Sequence, residues 1–186
     1  MLTNLYFVRH AHSIYTPEEL KRPLSKKGLS DIEKINQQLI KESIDYVISG
    51  PYLRAVQTVE GVAKSIEKEV IMENAFKERQ LSSGPVEDFQ LAITKVWQEP
   101  SFCWEGGESN VVAQKRGVES TLKVLERYEG KNIVIGTHGN IMVLIMNYFD
   151  NNYGFDFWNE LNMPDIYKLS FDKSELKEVN RIWSKD

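Results

Sequence analysis

Leu5-Tyr6-Phe7-Val8-Arg9-His10 sets four apolar residues directly against a guanidinium and an imidazole. The run is short and rich in aromatic and branched residues, the pattern of a buried strand. Residues 2–8 are therefore predicted to form the first strand. Side chains at the carboxyl end of such a strand point into a crevice beside an open α/β sheet, where ligands bind. A guanidinium offers a planar fork of donors suited to phosphate. An imidazole beside it can serve as a nucleophile or as an acid–base group. Two of the three histidines, His10 and His12, lie at this one place.

Outward from this stretch, strand-like and helix-like patterns alternate. That alternation predicts a three-layer α/β/α sandwich around a mostly parallel central sheet. After a loop over residues 12–24, Leu29, Ile32, Ile35, Leu39 and Ile40 fall on one helical face, with Ser25 as the N-cap. Residues 46–48 read as a second strand and Ser49-Gly50-Pro51 as a turn. Ala55, Val59, Val62, Ala63 and Ile66 line the next helix, and residues 70–72 form a third strand. Residues 74–108 break the rhythm with glycines, prolines and large aromatics. They read as an inserted cap, with a short helix near 89–97, in a single domain of 186 residues. A helix over residues 109–128 follows, apolar at Val111, Val118, Leu122 and Leu125. Ile133-Val134-Ile135 is a central strand that stops at Gly136-Thr137-His138-Gly139, with a helix from about Asn140. Residues 166–171 and 176–183 form the arms of a hairpin.

Hydrophobic residues make up 41% and charged residues 27%, the balance of a globular domain. The net charge of -4 argues against a nucleic-acid partner, because no basic excess is available to neutralise phosphates. No apolar stretch approaches the roughly 20 residues of a membrane span. Arg9 interrupts the N-terminal apolar run, so it does not read as a signal peptide. Cys103 is the only cysteine, which points to a reducing compartment. A cytoplasmic protein without a membrane partner is expected; its oligomeric state is not legible.

Three strand-to-helix junctions carry cations or imidazoles: Arg9-His10, Arg54 and His138. If they converge, four positive or potentially positive groups surround a small volume and repel one another. A bound phosphoryl group relieves that strain through charge-assisted hydrogen bonds.

These segments resemble those of the histidine phosphatase superfamily, the phosphoglycerate mutase-like family. Val8-Arg9-His10-Ala11-His12-Ser13 is similar to its R-H-G-[ED]-[ST] segment. The stretch from Ser49 to Thr58 is similar to S-x-P-x-x-R-A-x-Q-T. Phe76-Lys77-Glu78-Arg79 falls where the family has L-x-E, Gly106-Gly107-Glu108-Ser109 resembles G-G-E-S, and Thr137-His138-Gly139 matches [ST]-H-G. The resemblance implies His10 as a nucleophile that transiently carries the phosphoryl group. It implies Arg9, Arg54 and His138 as clamps on the phosphoryl oxygens, Glu78 as acid and then base, and the Gly139 N–H as a further donor. It implies no metal and no cofactor, and a small phosphorylated substrate as partner.

Two positions depart from the family pattern. Ala11 replaces its glycine, and His12 replaces an acidic residue, adding potential positive charge beside the substrate. The longer W-N and G-W segments of phosphoglycerate mutases are missing, which favours a phosphatase over mutase-type phosphoryl transfer. Two further readings compete. His10, His12 and His138 could be the three ligands of a zinc hydrolase, or the pocket could be a non-catalytic phospholigand-binding module. Glu73 and Glu108 are rival carboxylates, Glu108 being expected to cap the following helix. Gln57 and Thr58 read as structural, Trp97 and Trp104 as packing, and Cys103 as inert.

Overall fold

The structure, a computed structural model, describes residues 1–184 of the 186. The elements are β1 (Thr3–Arg9), α1 (Lys26–Ile40), β2 (Tyr46–Ser49), α2 (Leu53–Ser65), β3 (Ile71–Met72), α3 (Phe89–Gln98), α4 (Asn110–Arg127), β4 (Asn132–Thr137), α5 (Gly139–Phe149), α6 (Phe155–Glu160), β5 (Asp165–Asp172) and β6 (Glu175–Arg181). They form one six-stranded sheet in the order β3-β2-β4-β1-β5-β6. The first four run parallel, while β5 and β6 are antiparallel additions from the C-terminal hairpin.

Strand alternation divides the core in two. Leu5, Phe7, Ile133 and Ile135 pack with α4 and α5 residues, including Ala113, Leu125, Ile141 and Ile145. Tyr6, Val8, Val47 and Val134 pack on the opposite side with α1 and α2 residues, including Ile35, Leu39, Val59 and Val62. Each side of the sheet thus has its own helical layer. That explains why β1 and β4 read as unbroken apolar runs rather than alternating ones. Among the described residues no helix is long and apolar enough to cross a membrane.

Caps fall where side chains can supply them. Ser25 Oγ accepts from Gly28 N at the start of α1, and Ser109 Oγ accepts from Val112 N at the start of α4. Four apolar positions differ from the reading above. Leu29 and Ile40 flank the buried stripe of α1 and are half exposed, and Val111 of α4 faces outward. Ile66 has left the helix as the C-cap of α2 and is only partly buried. Strand β3 has just two residues, both exposed at the sheet edge. Helix α5 starts at Gly139, with His138 as its N-cap. Helix α6 has six residues, too few to display a period.

Candidate active site

The carboxyl ends of β2, β4 and β1, three neighbours in the sheet, are joined by their backbones. His10 N donates to Thr137 O at 3.0 Å, and Gly50 N donates to Gly136 O at 2.9 Å. Thr58 on α2 fixes the loop after β1. Its Oγ1 accepts from Ala11 N at 3.1 Å and donates to Arg54 O at 2.6 Å. Gln57 Oε1 accepts from Leu24 N, tying the far end of the 12–24 loop to the same helix. Both residues are structural, and what they hold is the setting of His10 and Arg54.

His10 is buried, and its Nδ1 lies 2.7 Å from Ala11 O. A carbonyl can only accept, so Nδ1 carries the proton and Nε2 bears the lone pair. Arg54 Nε sits 3.3 Å from that Nε2. Burial first, then the Arg54 charge, push the imidazole pKa down to about 3. The ring is therefore neutral at ordinary pH, as a nitrogen nucleophile must be.

His138 is completely buried, its ring 5.1 Å from that of His10 and 5.0 Å from that of Tyr52. Burial, and then the charges of His10, Arg54, Arg9 and Arg116, hold its pKa well below the usual imidazole range. Neither ring nitrogen has a hydrogen-bond partner among the described residues. A buried polar group without a partner is costly and uncommon in a folded protein. An acceptor brought between the two rings would satisfy the free ring N–H.

Arg9 Nη1 donates to Leu161 O at 3.2 Å and to Asn162 O at 3.1 Å, while its buried Nε is unpartnered. These carbonyls follow α6, so the unanticipated helix serves to orient the guanidinium. Gly139 lies against it: a Cβ there would meet Arg9 Nε at 3.0 Å and Trp158 Nε1 at 3.2 Å. Glycine at this point lets the first turn of α5 and Arg9 share one small space.

Arg54 is 4% exposed and fully engaged. Besides the contact to His10, Nη1 donates to Glu19 O and Nη2 to Glu19 Oε2, each at 2.9 Å. The like-charge strain expected of this cluster is therefore relieved in three ways. The two imidazoles are neutral, Arg9 rests on carbonyls, and Arg54 rests on Glu19. Glu19 lies in an irregular loop, and nothing in its spacing could have singled it out.

Glu78 reaches the amino end of α5. Its Oε2 accepts from Asn140 N at 3.1 Å, and its Oε1 accepts from Ile141 N at 3.0 Å and Arg79 N at 2.8 Å. The carboxylate thereby takes two of the free N–H groups of the helix start, next to His138, and leaves that of Gly139. Its charge acts on both Arg9 and Arg54.

His12 stands apart. Its exposed imidazole shares a 2.8 Å hydrogen bond with Ser25 Oγ at the start of α1. The three histidines are thus not gathered as zinc ligands. Among the described residues no group of three His, Cys, Asp or Glu side chains is arranged to hold a metal ion. Glu108 does not cap α4, a role taken by Ser109. Burial would raise its pKa, but the paired Arg116 holds it below the usual value. Glu73 accepts from Ala75 N within its own turn. Trp97 and Trp104 donate to Asn140 Oδ1 and Ala92 O, and Cys103 is exposed.

The class these features define is an α/β sandwich whose strand ends gather two arginines and two neutral imidazoles in one place. The chain belongs to the histidine phosphatase superfamily (branch 1), whose profile matches residues 5–181. Solved structures agree on the fold. A mycobacterial glucosyl-3-phosphoglycerate phosphatase superimposes with a TM-score of 0.77 at 15% identity, covering 97% of both chains. YhfR of Bacillus stearothermophilus gives 0.79 at 21% identity over 94% of both. A phosphoserine phosphatase mutant from Entamoeba histolytica, in complex with phosphoserine, gives 0.77 at 20% identity over 96% of both. No curated protein sequence matches the chain.

Proposed function

We propose that the protein is a cofactor-independent phosphatase that hydrolyses small phosphate monoesters through a phosphohistidine on His10. One observation carries this reading: a buried, neutral imidazole whose Nδ1 proton is committed to Ala11 O, leaving the Nε2 lone pair beside Arg54 and His138. Superfamily membership and the activities named for structural relatives support it.

In the first step Nε2 attacks phosphorus, the ester P–O bond breaks, and the leaving oxygen takes a proton from Glu78. Arg9, Arg54, His138 and the Gly139 N–H bind the phosphoryl oxygens as their charge redistributes, which is electrostatic work. In the second step water gives its proton to Glu78 and attacks phosphorus, the P–N bond breaks, and inorganic phosphate leaves. The domain is read as single, with residues 74–108 as a cap that limits which leaving groups reach Glu78.

The test replaces His10 with alanine. Turnover of an aryl phosphate should fall to background, and brief reaction of the parent protein with labelled substrate should leave acid-labile label on His10. An active His10→Ala protein overturns the reading. Formation of an isomerised phosphate ester instead of free phosphate would assign mutase-type transfer.

A further inference from the structure

Arg22 and Glu19, both on the 12–24 loop, are the charged groups at this site that the mechanism above does not use. Glu19 bridges two guanidiniums: Oε2 is 2.9 Å from Arg54 Nη2, and Oε1 is 2.5 Å from Arg22 Nη2. Two oxygens of one anion shared between two arginines is the arrangement expected of a bound phosphoryl or carboxylate group. The Arg22 side chain is only 15% exposed. It lies over the Tyr15 ring at 4.7 Å, donates to Thr16 O, and keeps its buried Nε unpartnered. Its charge is felt by both His10 and Arg54.

The Glu19 side, by contrast, is cheap to release. Its side chain is 51% exposed. It sits on a single turn, Glu19–Lys21, that buries no residue and has no side-chain cap. Segments with so few buried contacts open at low cost, and ion pairs with a solvated partner contribute little. Yet Arg54 cannot give its fork to a phosphoryl group while both Nη atoms are held by Glu19.

We propose that Glu19 is an internal stand-in for the substrate's anion, and that its displacement recruits Arg22 as an additional anion-binding residue. The proposal rests on the reading of these strand ends as a phosphoryl site. It adds a competitor for that site and a further binding residue, both carried by the loop. In the free protein Glu19 neutralises Arg54 and Arg22. When an anion enters, the carboxylate leaves, and both guanidiniums turn to the incoming oxygens.

The experiment is calorimetric titration of the full chain with inorganic phosphate, which needs no turnover. Glu19→Gln and Glu19→Ala should each bind phosphate about tenfold more tightly, the scale of one charge-assisted hydrogen bond regained. Arg22→Gln should weaken binding, and by a larger factor in the Glu19→Gln background, where Arg22 is already free. In turnover assays the Glu19 variants should lower KM more than they change kcat. Glu18→Gln is the control for a general loss of negative charge, since Glu18 pairs with Lys21 on the surface; its phosphate affinity should match the parent protein. Glu19 variants that bind phosphate no more tightly, or an Arg22→Gln change without effect in the Glu19→Gln background, overturn the proposal. So does a Glu18→Gln gain equal to that of Glu19→Gln. A parent protein that binds no phosphate overturns both this proposal and the phosphatase reading, whereas an inactive His10→Ala protein beside indifferent loop variants overturns this proposal alone.

Discussion

His10 and Glu78 divide the proposed chemistry, and each depends on the hydrogen bonds that surround it. His10 is neutral because it is buried beside Arg54, and its tautomer is set by a single carbonyl. Neither property can be read from an Arg-His pair in a sequence, where four converging basic groups suggested accumulated positive charge instead. Glu78 is fixed by three backbone N–H groups, two of them from α5. Its amide analogue keeps the shape but cannot carry a proton to a leaving oxygen. Glu78→Gln should therefore lower kcat/KM by about 10²–10⁴-fold on an alkyl phosphate, the range of general acid–base contributions. The loss in kcat/KM should be much smaller on nitrophenyl phosphate, whose leaving group departs without protonation. Parallel kcat/KM measurements, which end at departure of the leaving group and so leave out the shared hydrolysis of the phosphohistidine, check this, and equal losses would remove Glu78 from the acid role.

Helix α4 supplies a fastening that no motif announced. Arg116 pairs with both oxygens of Glu108 at 2.7 and 2.8 Å, and donates to the carbonyls of Ala75, Lys77 and Glu78 at 2.6, 3.0 and 3.2 Å. One guanidinium thereby anchors the irregular segment that delivers Glu78 to α5. Lysine keeps the charge but not the fork. Arg116→Lys should cost about 2–3 kcal/mol of stability, the worth of a hydrogen bond to a charged group. It should also lower kcat/KM more on an alkyl phosphate than on nitrophenyl phosphate, because Glu78 loses its setting. Urea denaturation and the same pair of kinetic assays test both. The elements that were legible share a physical property: α1, α2, α4, β1 and β4 each bury a face, and burial imprints a period on the sequence. The 12–24 loop and α6 bury almost nothing of their own, so their residues are free of periodic constraint. Glu19 and the carbonyls of residues 161 and 162 that hold Arg9 were for that reason invisible. Arg9, His10, Arg54, His138 and Gly139 stand at strand ends and helix starts, which the sequence pattern locates, whereas Glu78 lies in an irregular segment and was reached only through the family resemblance. His12, only two residues beyond His10, already belongs to the start of α1.

At the scale of the whole molecule, folding keeps two imidazoles uncharged that the unfolded chain protonates at a pKa of about 6.5. The folded pKa of His10 is about 3, and that of His138 is also held well below 6.5. The sign follows from linkage. Below about pH 6.5 the unfolded chain binds protons that the folded chain refuses, so stability falls as pH falls. Each histidine contributes a slope of about 1.4 kcal/mol per pH unit once the unfolded form is fully protonated. Denaturant midpoints at pH 7.0, 6.0 and 5.0 should drop accordingly in the protein free of phosphate. A His10→Ala, His138→Asn double variant should flatten the profile over this window, which lies largely above the carboxylate range. Saturating inorganic phosphate should raise the midpoints of the parent protein, because it binds the folded chain and not the unfolded one. A double variant whose midpoints fall as steeply as those of the parent would mean that the acid sensitivity arises elsewhere. The neutral imidazole required of the nucleophile would then lose its energetic support.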